Sequence, residues 1–174
     1  MNKMVLAAAL LAAPLAARAD LGLRGGLEAN IATHSNGSTQ VLTDNWPLAG
    51  DLMLSYWTPG SILSIDAEIS RQFFANPPVG QTGGIAWVFR PGIRLSPPVL
   101  PIYARAALPI NIDSNNPRET VDLRLGVGLT IPLVLFKIYI EADADFPLSS
   151  ESTANISAFS GYSVWLASGI DFRF

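Results

Sequence analysis

The sequence predicts an all-β protein, an eight-stranded antiparallel up-and-down β-barrel that spans a membrane. Three observations lead to this fold class. Apolar and polar residues alternate in eight segments of about ten residues, the length that a tilted strand needs to cross a bilayer. Short and long connections alternate between these segments. Finally, 49 % of the 174 residues are apolar, yet no apolar run after residue 19 is long enough for a membrane helix.

The first residues have the pattern of a secretory signal peptide. Lys3 precedes an apolar run from Val5 to Ala17, and Ala17-Arg18-Ala19 is a small-x-small cleavage site. We predict a signal peptide over residues 1–19 and an outer-membrane barrel domain over residues 20–174. An N-terminal anchor helix is the less favoured alternative, because the run is shorter than the roughly 20 residues that span a bilayer.

Period-two alternation indicates strands that have one apolar and one polar face. The predicted strands cover residues 21–31, 48–57, 63–70, 85–95, 100–111, 121–131, 136–146 and 162–173. Tight connections follow the even strands, at 58–60, 96–98 and 132–134, whereas longer polar connections follow the odd strands, near 33–45, 75–83, 113–119 and 147–160. Short turns at one rim and long loops at the other are typical of an outer-membrane barrel, with both termini on the short-turn, periplasmic side. Pro91 lies inside the fourth strand, where its missing N–H predicts a bulge or a strand break.

We expect the polar face of the strands to point into the barrel. An eight-stranded barrel is only wide enough to be filled by side chains, and buried charges persist when they are paired. The sequence therefore predicts an ion-pair network in the lumen. Its expected members are Arg24, Glu28, Asp51, Asp66, Glu68, Arg90, Arg94, Arg105, Asp122, Arg124, Glu141, Asp143, Asp171 and Arg173. The alternative is a secreted soluble β-sandwich, whose charged face would point outward.

Aromatic residues favour the membrane barrel over the sandwich. They lie mostly toward strand ends on the apolar phase, where the aromatic girdles of membrane barrels occur. The aromatic positions are Trp46, Tyr56, Phe73, Trp87, Phe89, Phe136, Phe146, Tyr162, Phe172 and Phe174.

Charge and cysteine content exclude several classes of function. Removal of Lys3 and Arg18 from the 11 basic residues leaves nine against 14 acidic ones, so the mature chain is mildly acidic. No basic run could neutralise a series of phosphates, which argues against nucleic acid as a partner. The chain has no Cys, which excludes disulfides and thiolate metal sites. We predict no cofactor.

These features together resemble the small outer-membrane barrels of the OmpA-transmembrane-domain and OmpX type, over residues 20–174. The resemblance implies a porin-like protein of a Gram-negative cell envelope, with outer-membrane lipids and lipopolysaccharide around it. Phe172 and Phe174, on the alternating last strand, resemble the signal that the barrel-assembly machinery reads. The expected function is non-enzymatic: envelope integrity or display of surface loops. A narrow small-solute channel is the first alternative.

A lipid A-modifying enzyme is the second alternative, and it depends on the only His of the chain. His34-Ser35-Asn36 resembles the His-x-Ser-Asn motif of a lipid A deacylase barrel, but here the Ser is adjacent to the His and the segment follows the first strand. A polar surface loop with a Gly turn explains it better. The acidic row Glu141, Asp143 and Asp145 could bind Ca²⁺ through oxygen ligands, but pairing with arginine in the lumen is the favoured explanation. We predict no catalytic and no metal-binding residue.

Overall fold

The computed structural model describes residues 20–35, 37–41, 47–57, 60–73, 87–112, 121–148 and 161–174. The predicted signal peptide, Trp46 and most of the predicted long loops lie outside these residues. The strands are β1 (Asp20–Ser35), β2 (Ser38–Val41), β3 (Leu48–Trp57), β4 (Leu63–Phe73), β5 (Trp87–Leu95), β6 (Ile102–Ala107), β7 (Ile110–Asn111), β8 (Asp122–Pro132), β9 (Lys137–Pro147) and β10 (Tyr162–Arg173).

The strands form one closed antiparallel barrel. Each long strand pairs with its neighbour in the chain, and β10 pairs with both β9 and β1, which closes the sheet. The eight barrel strands are β1, β3, β4, β5, β6 together with β7, β8, β9 and β10. The all-β, eight-stranded, up-and-down fold predicted from the alternation is therefore confirmed.

The first predicted long loop contains additional strand structure. β1 continues to Ser35 and pairs with β2, with Gly37 at a φ of 76° in the turn between them. All four residues of β2 are exposed. The alternation could not show this extension, because Ser38, Thr39 and Gln40 are polar on both faces and Val41 alone cannot define a period. Asn-Gly is nevertheless a strong sequence signal for a tight hairpin.

Pro91 does not interrupt its own strand. β5 runs from Trp87 to Leu95, and its register against the next strand is the same on both sides of the proline, with Gly92 opposite Ala107 and Phe89 opposite Ile110. The Pro91 carbonyl still accepts a hydrogen bond from the N–H of Leu108 at 2.9 Å. The expected bulge is thus absent, and the strand break lies in the neighbour, between β6 and β7, because Pro91 lacks the reciprocal donor.

The seam between β1 and β10 depends on two glycines. Gly26 and Gly169 are opposite each other, and the ring of Tyr139 packs against both. A Cβ on Gly169 would lie 2.5 Å from the Cα of Gly26 and would also overlap the carbonyl oxygen of Gly25. These are backbone atoms, so they cannot turn aside as a side chain can.

We therefore expect Gly169→Ala to lower the free energy of unfolding by about 1–3 kcal/mol, the usual cost of overpacking. The measurement is a urea unfolding titration of the refolded barrel. Gly25→Ala is the matched control, because its Cβ would meet its nearest neighbour at an ordinary 3.6 Å. Equal stabilities for the two variants would contradict a close approach at the seam.

Candidate functional site

The inward face of the barrel carries most of the buried charge. The buried charged residues are Arg24, Glu28, Asp66, Glu68, Arg90, Arg94, Arg105, Arg124, Glu141, Asp143 and Asp171. Strand alternation places them, since each lies on the polar phase of its strand. Each of the buried arginines is within salt-bridge distance of at least one carboxylate. Such charges are compatible with a low-dielectric interior only when they are paired and hydrogen-bonded.

Glu28 joins two arginines in the loop-side half of the lumen. One of its carboxylate oxygens is 2.5 Å from Arg90, and the other is 2.6 Å from Arg124. Arg124 also donates two hydrogen bonds to Asp145, from Nε at 2.6 Å and from Nη2 at 2.7 Å. This two-pronged geometry is the strong form of an arginine–carboxylate pair. Asp143 lies farther from Arg124, at 4.0 Å.

The network continues through the middle of the lumen. Glu68 contacts Arg90 at 2.5 Å and also pairs with Arg105. Arg105 reaches Glu141 at 3.5 Å, and Glu141 in turn pairs with Arg24 at 2.5 Å. An unbroken series of ion pairs therefore runs from Asp145 and Arg124 to Arg24, and it links strands that are not neighbours in the sheet.

A second branch lies toward the short turns. Arg94 pairs with Asp66 at 3.5 Å and with Asp171 at 3.2 Å, and its Nη2 donates to the hydroxyl of Ser55 at 2.8 Å. Ser64 donates to Asp66 at 2.9 Å. Asp66 is also 3.7 Å from Arg105, which connects this branch to the main network.

Aromatic side chains fill the space that the ion pairs leave. The guanidinium of Arg24 lies 3.3 Å from the ring centre of Tyr139, whose hydroxyl donates to Asp51 at 3.2 Å. The hydroxyl of Tyr103 accepts from Arg24 and donates to Glu141. Gly128 leaves room for the Tyr103 ring, since a Cβ there would overlap it. The lumen of the described barrel is therefore packed with side chains along most of its length.

A cavity of about 440 Å³ opens at the short-turn end of the barrel. Its lining residues include Trp57, Arg94, Tyr103, Lys137 and Asp171. Arg94 and Tyr103 belong to the buried network, so the cavity meets packed and paired side chains at its inner side.

Three predicted members of the network have other surroundings. Asp51 accepts hydrogen bonds from Tyr139 rather than forming an ion pair with any described residue. Asp122 is half-buried at the loop-side start of β8. Arg173 lies at the short-turn rim, where it pairs with the exposed Asp20 at 2.5 Å and stacks over Trp57. It is therefore a rim residue and not part of the buried network.

Sequence reasoning left several neutral residues out of the site. Tyr103, Tyr139, Ser55 and Ser64 all bond to charged members of the network. Their position on the polar phase of the alternation was the available signal. The predicted network contained only charged residues, and a hydroxyl carries no formal charge, so these four residues were left out.

The outward face of the same strands is apolar, in contrast to the charged lumen. Leu27 and Val127 lie at mid-strand and are 64 and 65 % exposed, and Ile65, which lies nearer the short turns, is 64 % exposed. Further exposed apolar residues on this face are Leu23, Leu52, Leu54, Ile69, Phe89, Ile93, Leu125, Leu129, Ile138, Ile140, Leu166 and Ile170. Monomeric soluble proteins rarely expose a contiguous apolar patch larger than a few hundred Å², whereas here the patch is a belt around the whole barrel.

Aromatic residues mark both ends of this belt. At the short-turn end, Phe172 lies between Phe136 and Phe174, with ring centres 5.9 and 6.5 Å away. At the loop end, Tyr162 contacts Phe146 at 6.2 Å and stacks on His34 at 5.0 Å. The predicted assembly residues Phe172 and Phe174 thus lie together at the short-turn rim.

The described residues give little support to a lipid A-modifying enzyme or to a Ca²⁺ site. The described contacts of His34 are its stacking on Tyr162 and a 2.8 Å contact between its Nδ1 and the hydroxyl of Thr39; the side chain of Ser35 lies outside the described residues. Within the described segments, no group of three or more His, Asp or Glu side chains is arranged to hold a metal ion. Glu141 and Asp145 are instead paired with arginines.

The described part of the chain contains no helix with the length and apolar character needed to cross a membrane. In comparisons with known proteins, no protein-family model and no curated protein matches the chain.

Proposed function

We propose that the protein is a non-enzymatic β-barrel of a Gram-negative outer membrane, where it supports envelope integrity or displays surface loops. The observation that carries this proposal is the apolar belt on the outside of a barrel whose interior is charged. A bilayer is the solvent that favours such an outside, because its hydrocarbon core stabilises exposed leucine and isoleucine. A closed barrel also leaves no unpaired strand edge in that core.

The two rims support an orientation for the barrel. The short turns, the start of β1 and the end of β10 lie at one end, which in this class of protein faces the periplasm. The extended β1–β2 hairpin lies at the other end, which would face the outside of the cell. Lipopolysaccharide and outer-membrane lipids would then surround the belt, and the predicted signal peptide would direct export.

The direct test is insertion into lipid. The purified chain is refolded in the presence of phosphatidylcholine vesicles, and the vesicles are floated through a sucrose gradient. We expect the folded, heat-modifiable protein to float with the vesicles and to resist extraction by urea. A folded, monodisperse protein that stays in detergent-free buffer would contradict the membrane proposal and favour a soluble barrel.

The role in the cell is tested with a deletion strain. If the barrel supports the envelope, the deletion should raise sensitivity to detergent. If it displays loops, the deletion should reduce surface binding without that sensitivity. A changed lipid A profile on overexpression would instead indicate a lipid-modifying enzyme.

We expect the lumen to be closed to ions apart from the smallest leaks. Packed side chains and paired charges occupy the interior, and an eight-stranded barrel has no room for an aqueous channel beside them. Planar-bilayer recording on the refolded protein measures this. Stable, large single-channel steps would contradict the expectation and favour the small-solute channel.

We also propose that the barrel-assembly machinery recognises Phe172 and Phe174. Because both rings are exposed at the rim, replacing them with serine should change refolding into vesicles little. In cells, the same double substitution should sharply reduce the amount of heat-modifiable barrel in the outer membrane. Wild-type levels of assembled protein would contradict the proposed recognition, and the two rings would then act only in the interfacial girdle.

A further inference from the structure

We propose that Arg71 forms a binding site for a phosphate group of a phosphorylated glycolipid in the outer leaflet. The site lies on the outside of the barrel at its loop end, flanked by Phe73 and Trp87. This inference rests on the proposed function, since it requires the belt to lie in an outer membrane.

Arg71 is a cation on the apolar face. On β4 the exposed, outward residues are Leu63, Ile65, Ala67 and Ile69, and the buried, inward ones alternate with them. Arg71 continues the outward phase, and its guanidinium lies 5.9 Å from the ring of Phe73 and 5.2 Å from the ring of Trp87. Both rings belong to the exposed outer surface. Among the described strands, Arg71 is the only Asp, Glu, Lys or Arg on this face.

Arg71 also differs from the other described arginines in its partners. Arg24, Arg90, Arg94, Arg105 and Arg124 pair with carboxylates in the lumen, and Arg173 pairs with Asp20 at the rim. No described carboxylate lies within salt-bridge distance of Arg71. Its Nε is buried and has no hydrogen-bond partner among the described residues. The charge of Arg71 is thus held against two aromatic rings without a described anion to neutralise it.

Arg71 lies near the loop-side edge of the apolar band, from where its long side chain can reach the headgroup layer. It lies eight residues along β4 from Leu63 at the short-turn end, which at about 3.3 Å per residue and a tilt of about 40° is a rise of roughly 20 Å. The apolar band of such barrels is about 25 Å tall, and aromatic rings mark its two interfaces. Trp87 is directly opposite Arg71 in the sheet. On the other side the opposite residue is Gly50, which has no side chain to cover the guanidinium.

Phosphate is the ligand that this arrangement favours. A guanidinium presents a planar fork of donors that matches phosphate oxygens, and it keeps its charge when partly desolvated. The loop end of the barrel would face the outer leaflet, where the glycolipid carries its phosphates at the level of the aromatic girdle. The acyl chains of the same lipid would lie against the outward Ile69 and the belt below it.

The test measures binding of lipid A to the barrel folded in phosphatidylcholine vesicles. Lipid A that carries both phosphates is titrated against wild type, Arg71→Gln and the matched control Arg173→Gln, and retained lipid is measured after the barrel is re-isolated. We expect Arg71→Gln to bind roughly tenfold more weakly than wild type, the loss typical of one charge-assisted contact, and Arg173→Gln to bind normally. Arg71→Lys keeps the charge without the fork and should bind between wild type and Arg71→Gln.

Two further titrations identify the ligand chemistry. Dephosphorylated lipid A and inorganic phosphate alone should each bind wild type no better than they bind Arg71→Gln. Equal binding of phosphorylated lipid A to wild type and to Arg71→Gln would overturn the site. So would wild-type protein that binds dephosphorylated lipid A as tightly as phosphorylated lipid A. A response to inorganic phosphate alone would overturn the lipid as the ligand. In each of these cases the barrel still floats with vesicles, so the proposed function would stand; a wild-type chain that never enters vesicles would overturn both.

Discussion

Replacing Arg124 with methionine is expected to lower the free energy of unfolding by about 3–5 kcal/mol, the cost of breaking a buried ion pair by removing one partner. Arg124 is buried in the loop-side half of the lumen, where it holds both Asp145 and Glu28. Methionine fills a similar volume, so the packing changes little. The loss would come from a carboxylate that keeps its burial but loses its cation.

Two further variants separate this effect from a general loss of charge. Arg173→Met removes the pair with Asp20, whose side chains are 39 and 46 % exposed, and should cost no more than about 1 kcal/mol. The double variant Arg124→Met/Asp145→Asn should recover part of the stability, because it also removes the uncompensated carboxylate. The measurement is a urea titration of folding in lipid vesicles. A cost for Arg124→Met as small as that for Arg173→Met would mean that water screens the lumen charges.

Replacing Val127 with arginine is expected to cost about 2–4 kcal/mol of folding free energy, the penalty for a cation facing lipid near the bilayer midplane. Val127 is the central outward residue of β8 and is 65 % exposed. In water, the same substitution at so exposed a position would hardly change the folding free energy. The predicted penalty therefore depends on lipid around the barrel.

Ile131→Arg is the matched control on the same strand and the same face. Ile131 is 51 % exposed, but it lies near the short-turn rim, where the penalty falls to about 0–1 kcal/mol. A soluble barrel would tolerate both substitutions alike. A folding titration in vesicles that gives equal stabilities for the two variants would contradict the membrane orientation of the belt.

Much of the fold could be predicted from the sequence, because strand geometry is local. Side chains alternate faces along any strand, so the two-residue pattern separated Leu125 from Arg124 before any contact was known. The same pattern predicted the eight barrel strands within a few residues. It missed β2, whose first three residues are polar on both faces, and it placed the effect of Pro91 in the wrong strand. A missing N–H removes a hydrogen bond to the neighbouring strand, whose carbonyl would have accepted it. Which strand that is becomes known only when the strand pairing is known.

Some ion pairs could be predicted from the pairing of neighbouring strands, whereas others depend on the closed barrel. Arg124 and Asp145 are directly opposite on the neighbouring strands β8 and β9, so a tight hairpin register could have paired them. Arg124 and Glu28 are 96 residues apart and lie on strands that do not pair. They meet only because the closed barrel brings opposite walls within reach of two long side chains.

The sequence by itself determined the strands, the polar lumen and the apolar belt, since each follows from residue type and strand period. Only the tertiary structure decided which arginine meets which carboxylate, that Arg173 belongs to the rim, and that Tyr103 and Tyr139 complete the network. Those outcomes depend on the register at the β1–β10 seam and on the barrel diameter. Both arise from all eight strands closing together, and no local segment specifies them.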